Sequence, residues 1–569
     1  MKKSLILFVF VGFLFSCKKE ATIKKTPKVR YACVPQITDV EWYKKDNIAP
    51  LLSGLDAVDY PISTKDTLVQ RYFNQGMTLV YGFNHAEAAR SFYYATKLDP
   101  TCAMAFFGYA YVLGPNYNAG MEADNYQRAY EAIQKAKELS KNSPKKERKF
   151  INAMSLRYTK EPPEDRSQLD IDYSKAMKSL YVQYPNDTEI SALYAESIMN
   201  LHPWDLYDKK GNPKEWTPEI TTLLEKLLTQ NPKHPGAHHF YIHAVEASSA
   251  PNRANNSAKV FDDKLVAGSG HLLHMPSHIY IRTGEYHKGT LSNIAAVEAD
   301  STYVTLCHAQ GAYPLAYYPH NYHFMAATAT LEGNSEWAML GANKVSQHIS
   351  TALMKEDGWG TLQHYYTIPY YVAVKFGKWQ EILEMKLNTH ELKYPKAIRY
   401  YAEGMAYVGK NDLNNAKIAL AKLSELAKDE SIKDITVWEI NSVYDLVLIA
   451  EKVLKAEVLS KEKKYSESIA LLKEAIEIED ALNYNEPPDW FFSVRHHLGN
   501  AQISATFYID AIKTYEKNLK NFPKNGWAHH GLKLAYEKLN DIENIKRMEG
   551  LIAKSWKTSD IELQGSLVK

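Results

Sequence analysis

The sequence predicts an all-α protein built as an α-solenoid of stacked helix–turn–helix units. Three observations predict it. The chain has 569 residues, too many for one ordinary compact domain unless it is made of repeats. Its 26 glycines and 24 prolines are modest for that length, which suits long helices. Small, aromatic and proline residues recur with a period of about 34 residues, the spacing of a two-helix unit.

The N-terminus reads as a targeting segment. Lys2 and Lys3 precede an apolar run from Leu5 to Phe15, and Ser16-Cys17 follows. The run is too short for a comfortable membrane span and fits the core of a signal peptide. Leu14-Phe15-Ser16-Cys17 resembles a bacterial lipobox, with a bulkier Phe15 than is usual there. The resemblance implies cleavage after residue 16, a lipidated Cys17, residues 1–17 as a lipoprotein signal peptide, and a lipid-anchored protein of the bacterial cell envelope. Lys18-Lys19-Glu20 resembles signals that export lipoproteins to the cell surface. Residues 18–60, with scattered proline and charge, read as a tether. No later stretch is apolar enough to span a bilayer.

Residues 61–569 read as about nine or ten units. The first places Tyr72, Gly76, Leu79, Ala88, Phe92, Ala95 and Pro100 at regular spacing; Ala105, Phe106, Ala110 and Leu113 match in the next. Ala397, Tyr400, Gly404, Tyr407, Ala416 and Leu420 repeat the pattern, as do Leu498, Gly499, Ala511, Tyr515 and Pro523, and Trp527, Gly531 and Leu534. Small residues let the two helices of a unit lie close, and Pro100 ends its helix because proline cannot continue one. This pattern resembles the tetratricopeptide repeat (TPR), which implies a superhelix with a concave groove. Strings such as HMPSHIYIRTGEYH and YNEPPDWFFSVRHHLGNA resemble a group of bacterial TPR proteins, a resemblance that implies no mechanism. Intervening units are degenerate, and residues 301–318 read as an insertion that could fold over the groove.

The histidines are not scattered over this pattern. With the register set by small and turn residues alone, a small residue at position 8 and often Gly at 15, groove-facing side chains are expected at positions 2, 5, 9, 12 and 13 of a unit, the first four on one helix face. In the unit starting at Pro235, His239, His243 and Glu246 fall there. In the unit starting at Gly270, His271, His274 and His278 do, and in the unit starting at Pro319, His320 and His323. His364 and His496 also fall at groove positions. That is nine of the 20 histidines where about three are expected by chance from the repeat length. Tyr280 and His364 are read as further binding residues.

Imidazole is a metal ligand, proton shuttle or anion donor near neutral pH. His239 with His243, and His274 with His278, have the i,i+4 spacing at which two rings can share a metal. Glu246 is a hard ligand or a candidate base. The candidate metal set is therefore His239, His243, His274, His278, His320 and His323, with His271 beside it, and nitrogen-rich ligation suits Zn, Cu or Fe. No HExxH, phosphate loop, dinucleotide fingerprint or GxSxG elbow occurs. GPNYN (Gly114–Asn118) and EPPDW (Glu486–Trp490) read as structural turns, with Asp489 a helix cap. His202-Pro203-Trp204-Asp205 is a loop within reach of the groove. Cys102 reads as small and buried, Cys307 as a further candidate ligand, and the odd set of Cys33, Cys102 and Cys307 as no disulfide framework.

Two functions follow. One is an envelope scaffold whose His- and Tyr-rich groove binds a peptide or protein segment, with or without metal. The other is a metal-dependent enzyme of hydrolase or oxidase type; metal storage or delivery is a variant. A net charge of +2 gives no footprint for nucleic acid, and membrane contact is expected through Cys17 alone.

Overall fold

The computed structural model describes residues 40–568 apart from 46, 308–312 and 387–391. The signal peptide, Cys17 and Cys33 lie outside the described residues, as does the side chain of Cys307. The described part is all-α apart from one two-residue antiparallel ribbon, Thr436–Val437 with Asn441–Ser442. No described helix is long and apolar enough to cross a membrane.

Helices pair in chain order, as in TPR arrays. Thr67–Tyr81 packs on His85–Leu98, Tyr318–Glu332 on Ser335–His348, Lys393–Gly409 on Leu413–Ala427, and Val443–Lys461 on Tyr465–Ala481. Starts are fixed by side-chain caps: Asp66 accepts from the Leu68 and Val69 amides, and Asn84 from Glu87, satisfying backbone donors that have no partner within the helix. Ends at position 15 fall on Gly284 and Gly333, both left-handed (φ 75° and 81°), which a side chain would oppose.

The repeat spacing has a packing cause. The Phe92 ring sits between Gly76 of its own unit and Gly108 of the next; a Cβ on either glycine would lie 2.6 or 2.3 Å from that ring. Tyr515 sits in the same way between Gly499 and Gly531. In both places an aromatic of a second helix fills the gap between two first helices, and the glycine–aromatic–glycine interval is the same.

Two features alter the picture of a simple open array. Residues 47–62 are packed, not free: Ala49, Leu55, Val58 and Ile62 are buried, and the Tyr72 hydroxyl donates to the Ala49 carbonyl at 2.7 Å. The body therefore begins before residue 61. The last repeats also return onto the middle ones. The Tyr286 hydroxyl donates to the Pro523 carbonyl (2.8 Å), the Trp527 indole to that of Thr330 (2.8 Å), and Asp560 accepts from the Ser335 amide (2.7 Å).

Between 286 and 332 the chain forms a long helix, Tyr286–Cys307, then a π-helical turn, Tyr313–Tyr317, leading into Tyr318–Glu332. Asp300 ties these pieces together, accepting from the Tyr313 hydroxyl and the Asn321 amide, each at 2.7 Å. Burial pushes its carboxyl up to about 7. The folded state thus holds a proton that the unfolded chain releases near pH 4. Stability from this group is full below that pH, falls as pH rises toward 7, and then levels off. Taken alone this group favours pH 5 over pH 8, while buried neutral histidines act in the opposite sense, so the test is the change from the parent: Asp300→Asn should raise stability at pH 8 relative to pH 5 by on the order of a few kcal/mol. An unaltered pH profile in the variant would remove Asp300 as the cause.

Candidate metal centre

Three elements carry the site, and each is placed by its own sequence. The Pro235–Glu246 helix begins with proline at its first turn, capped by the His234 imidazole (3.1 Å to the Ala237 amide). Gly236 lets it approach Tyr81 closely, since a Cβ there would lie 2.3 Å from that ring. The second element is broken: Gly270–His274 and Pro276–Thr283 are separate helices, because Pro276 lacks the amide that would continue the ladder. The third is Tyr318–Glu332, entered through the π-helical turn.

The imidazoles gather into two triads. His239, His243 and His271 form one; His274, His278 and His320 form the other, and within each the ligand nitrogens lie within 4.8 Å of one another. A third group, Glu246, His278 and Glu486, shares His278. His239, His243, His271, His274, His278, Glu246 and Glu486 are all buried, and His320 is half-buried.

Hydrogen-bond partners fix how the rings point. His239 Nδ1 faces the Tyr81 carbonyl at 2.6 Å. His243 Nδ1 faces Glu246 Oε1 at 2.8 Å. His274 Nδ1 faces Asn293 Oδ1 at 2.7 Å, and the Asn293 amide is oriented by donating to the Gly289 carbonyl. His278 Nδ1 lies 2.6 Å from Glu246 Oε2 and 3.1 Å from Glu486 Oε2. His320 Nδ1 is 3.3 Å from the Tyr365 hydroxyl. A nitrogen facing an acceptor carries the proton, so His239, His243 and His274 each turn an Nε2 lone pair inward, while His278, charged between two carboxylates, keeps a proton on Nε2 that a metal ion would have to displace. Metal-binding histidines are held in this way by partners on the far nitrogen.

The inward nitrogens crowd. His274 Nε2 and His278 Nε2 are 2.9 Å apart, and His239 Nε2 and His271 Nε2 are 3.2 Å apart. Two ligands of one tetrahedral ion, at about 2.0–2.1 Å each, stand about 3.3 Å apart. Two lone pairs at 2.9 Å repel unless a proton or a cation lies between them.

Electrostatics agree. Burial, then the neighbouring imidazoles, hold His239, His271, His274 and His320 well below the usual histidine range, so these rings are neutral. Burial also opposes charge on His278, but Glu246 and Glu486 outweigh it and lift His278 to about 9. Burial works against the Glu246 carboxylate too, yet His278 and His243 bring it down to about 2. Held ionised by two imidazoles, Glu246 is a weak base. It suits neutralising cationic charge better than taking a substrate proton, which counts against its expected role as a base.

Some expected residues lie elsewhere. His323 belongs to neither triad; its ring stacks on Phe491 (centroids 5.3 Å, interplanar angle 10°) and neighbours His364. His364 Nδ1 is 2.7 Å from the Tyr394 hydroxyl. The Tyr280 hydroxyl donates to Asp262, away from the cluster. His496 contacts buried Lys375 (3.0 Å). The cluster also does not line an open groove: its rings are buried, because the chain's own turns cover it. Trp204 and Tyr117 place their rings 5.6 and 5.5 Å from His243, and Glu486 arrives from the EPPDW turn. Asp489 of that turn accepts from Asn441 and Asn485, both at 2.7 Å, and does not cap a helix. Cys102 is buried, as expected. Glu486, Trp204, Trp438 and Asn293 were not among the candidates; only the unusual composition of the turns carrying Trp204 and Glu486 marked any of them.

A cavity of about 470 Å³ opens between Gly360–Lys375, Lys393–Gly409, Val443–Lys461 and Arg495–Ser504. Tyr371, Tyr401, Met405 and Trp490 line it, with the Glu457–His497 pair (2.6 Å) in one wall and Leu567 and Val568 in another.

No protein-family model matches the sequence, and no curated protein matches it. Solved structures of helical-repeat proteins do. The human IFIT1 dimer with m7Gppp-AAAA is 12% identical, covering 89% of this chain and 93% of that one, with a TM-score of 0.31. Yeast Tom70 is 13% identical, with 87% and 98% covered and a TM-score of 0.31. The Cut9–Hcn1 hetero-tetramer of the APC/C is 11% identical, with 89% and 79% covered and a TM-score of 0.29. Likeness at this distance transfers neither ligand nor partner.

Proposed function

We propose that this is a metal-binding TPR protein whose buried histidines hold two transition-metal ions, one in each triad. The observation that supports it best is the set of four Nδ1 atoms held by acceptors, which turns four Nε2 atoms inward from two adjacent triads, that of His278 being freed for a metal once its proton leaves. Neutral imidazoles with nearby carboxylates suit Zn, Cu or Fe. Glu246, in contact with His243 of one triad and His278 of the other, offsets charge at both. A metal held there supplies Lewis-acid or redox chemistry, which is the basis of the enzyme reading.

Elemental analysis of protein purified without a polyhistidine tag should find two equivalents of transition metal. Protein devoid of metal after expression and refilling with Zn, Cu and Fe would sink the reading. His287→Ala should retain both equivalents, since His287 pairs with Glu332 at 2.8 Å and is half exposed. Anchoring at the bacterial envelope through Cys17 belongs to the same proposal: Cys17→Ser should move the protein from the membrane to the soluble fraction, and an unchanged membrane fraction would refute it.

A second reading, capture of a peptide segment, is favoured by the 470 Å³ cavity and not by the histidines. Grooves of TPR arrays commonly bind extended segments, and aromatic side chains, Tyr371, Tyr401 and Trp490, line this one. Tyr401→Ala should weaken such capture without changing metal content.

A further inference from the structure

Between the two triads lies a small space of about 30 Å³. His243 and His271 reach it from one triad, and His278 and His320 from the other. Trp204 and Trp438 form aromatic walls, and Asn118 and Glu486 add polar atoms. One water needs roughly 10–15 Å³ measured in this way, so the space suits a molecule of two or three atoms and no organic substrate.

Its lining carries polar atoms that the protein leaves without partners. His243 Nε2, His271 Nδ1, Asn118 Oδ1 and Trp204 Nε1 are buried and have no hydrogen-bond partner among the described residues. Buried polar groups are nearly always satisfied, and an unpaired one costs about 1–3 kcal/mol. Orphans of both kinds, an indole N–H donor and an amide carbonyl acceptor, border a space that both triads share.

We propose that this space is the external-ligand site of a dinuclear centre, where one diatomic or triatomic molecule of dioxygen or azide size bridges the two ions, and that Trp204 and Trp438 exclude anything larger. The inference rests on the metal reading above and adds to it the class of ligand. It also separates the two enzyme chemistries by size: about 30 Å³ leaves no room beside the ions for a substrate with a carbon skeleton.

The test uses the full mature chain loaded with Cu(II), with copper content measured first and sodium azide as the probe. Azide should produce a saturable charge-transfer absorption with one azide per two coppers. Imidazole at the same concentrations should leave the spectrum unchanged. Trp438→Ala should admit imidazole, with at least a tenfold gain in apparent affinity over the parent, and keep both coppers. Trp204→Ala serves the same purpose should the first variant misfold, as judged by circular dichroism. Two bound coppers with no azide response, two independent azides, or equal imidazole binding in the parent protein would each overturn this inference and leave the metal reading standing. Failure to bind copper, zinc or iron would overturn both.

Discussion

His239→Ala should lose one equivalent of metal, His274→Ala the other, and the double variant both. The two residues belong to different triads, and each contributes an Nε2 whose direction is set by a partner on Nδ1, Tyr81 for His239 and Asn293 for His274. Removing one of three imidazoles leaves too few ligands to hold an ion in that triad, and losses of affinity well beyond the 10–100-fold typical of outer partners are expected. Because both rings are fully buried, each truncation also opens a cavity and strands an acceptor, at about 2–4 kcal/mol. Metal content must therefore be read beside the melting of metal-free protein: a folded variant lacking one equivalent supports two separate sites. Loss of both equivalents from either single variant would mean one shared site, and loss of neither would end the hypothesis.

Gly76→Trp should prevent folding or destabilise the chain beyond measurement. Even the Cβ of alanine would lie 2.6 Å from the Phe92 ring, and the same ring is closed on its other side by Gly108. An indole has nowhere to go without parting two helices of one unit and loosening the next. Overpacking by a few methylenes already costs about 1–3 kcal/mol, and whole domains are stable by only about 5–15 kcal/mol. Gly76→Ala should fold with a lowered melting temperature. A Gly76→Trp protein with native helicity and melting would show that the units do not meet as described.

The sequence carried this much because TPR packing is local. Gly76, Ala88 and Phe92 meet within one unit, so their spacing alone reveals the helices, and one helix face collects His239, His243 and Glu246. What it concealed is long-range. A straight helix over 270–284 treats His271, His274 and His278 alike, yet Pro276 breaks that helix, and His271 meets His239 while His274 and His278 meet each other and His320. His323, one turn beyond His320, faces Phe491, which comes from a remote turn. Burial was hidden for the same reason: Trp204, Trp438 and Glu486 cover the cluster from three distant segments, and no period records where a chain returns on itself.

The arrival of Glu486 beside His278 bears on the order in which this molecule can be assembled. More than 200 residues separate the two, and such closure costs chain entropy before any contact repays it. The early repeats can fold as they emerge, each on its neighbour, and in that interval the imidazoles stand open to solution. Only when the later repeats dock does the turn bearing Glu486 shut the chamber. An ion held by these histidines would act as a rivet between early and late parts of the chain.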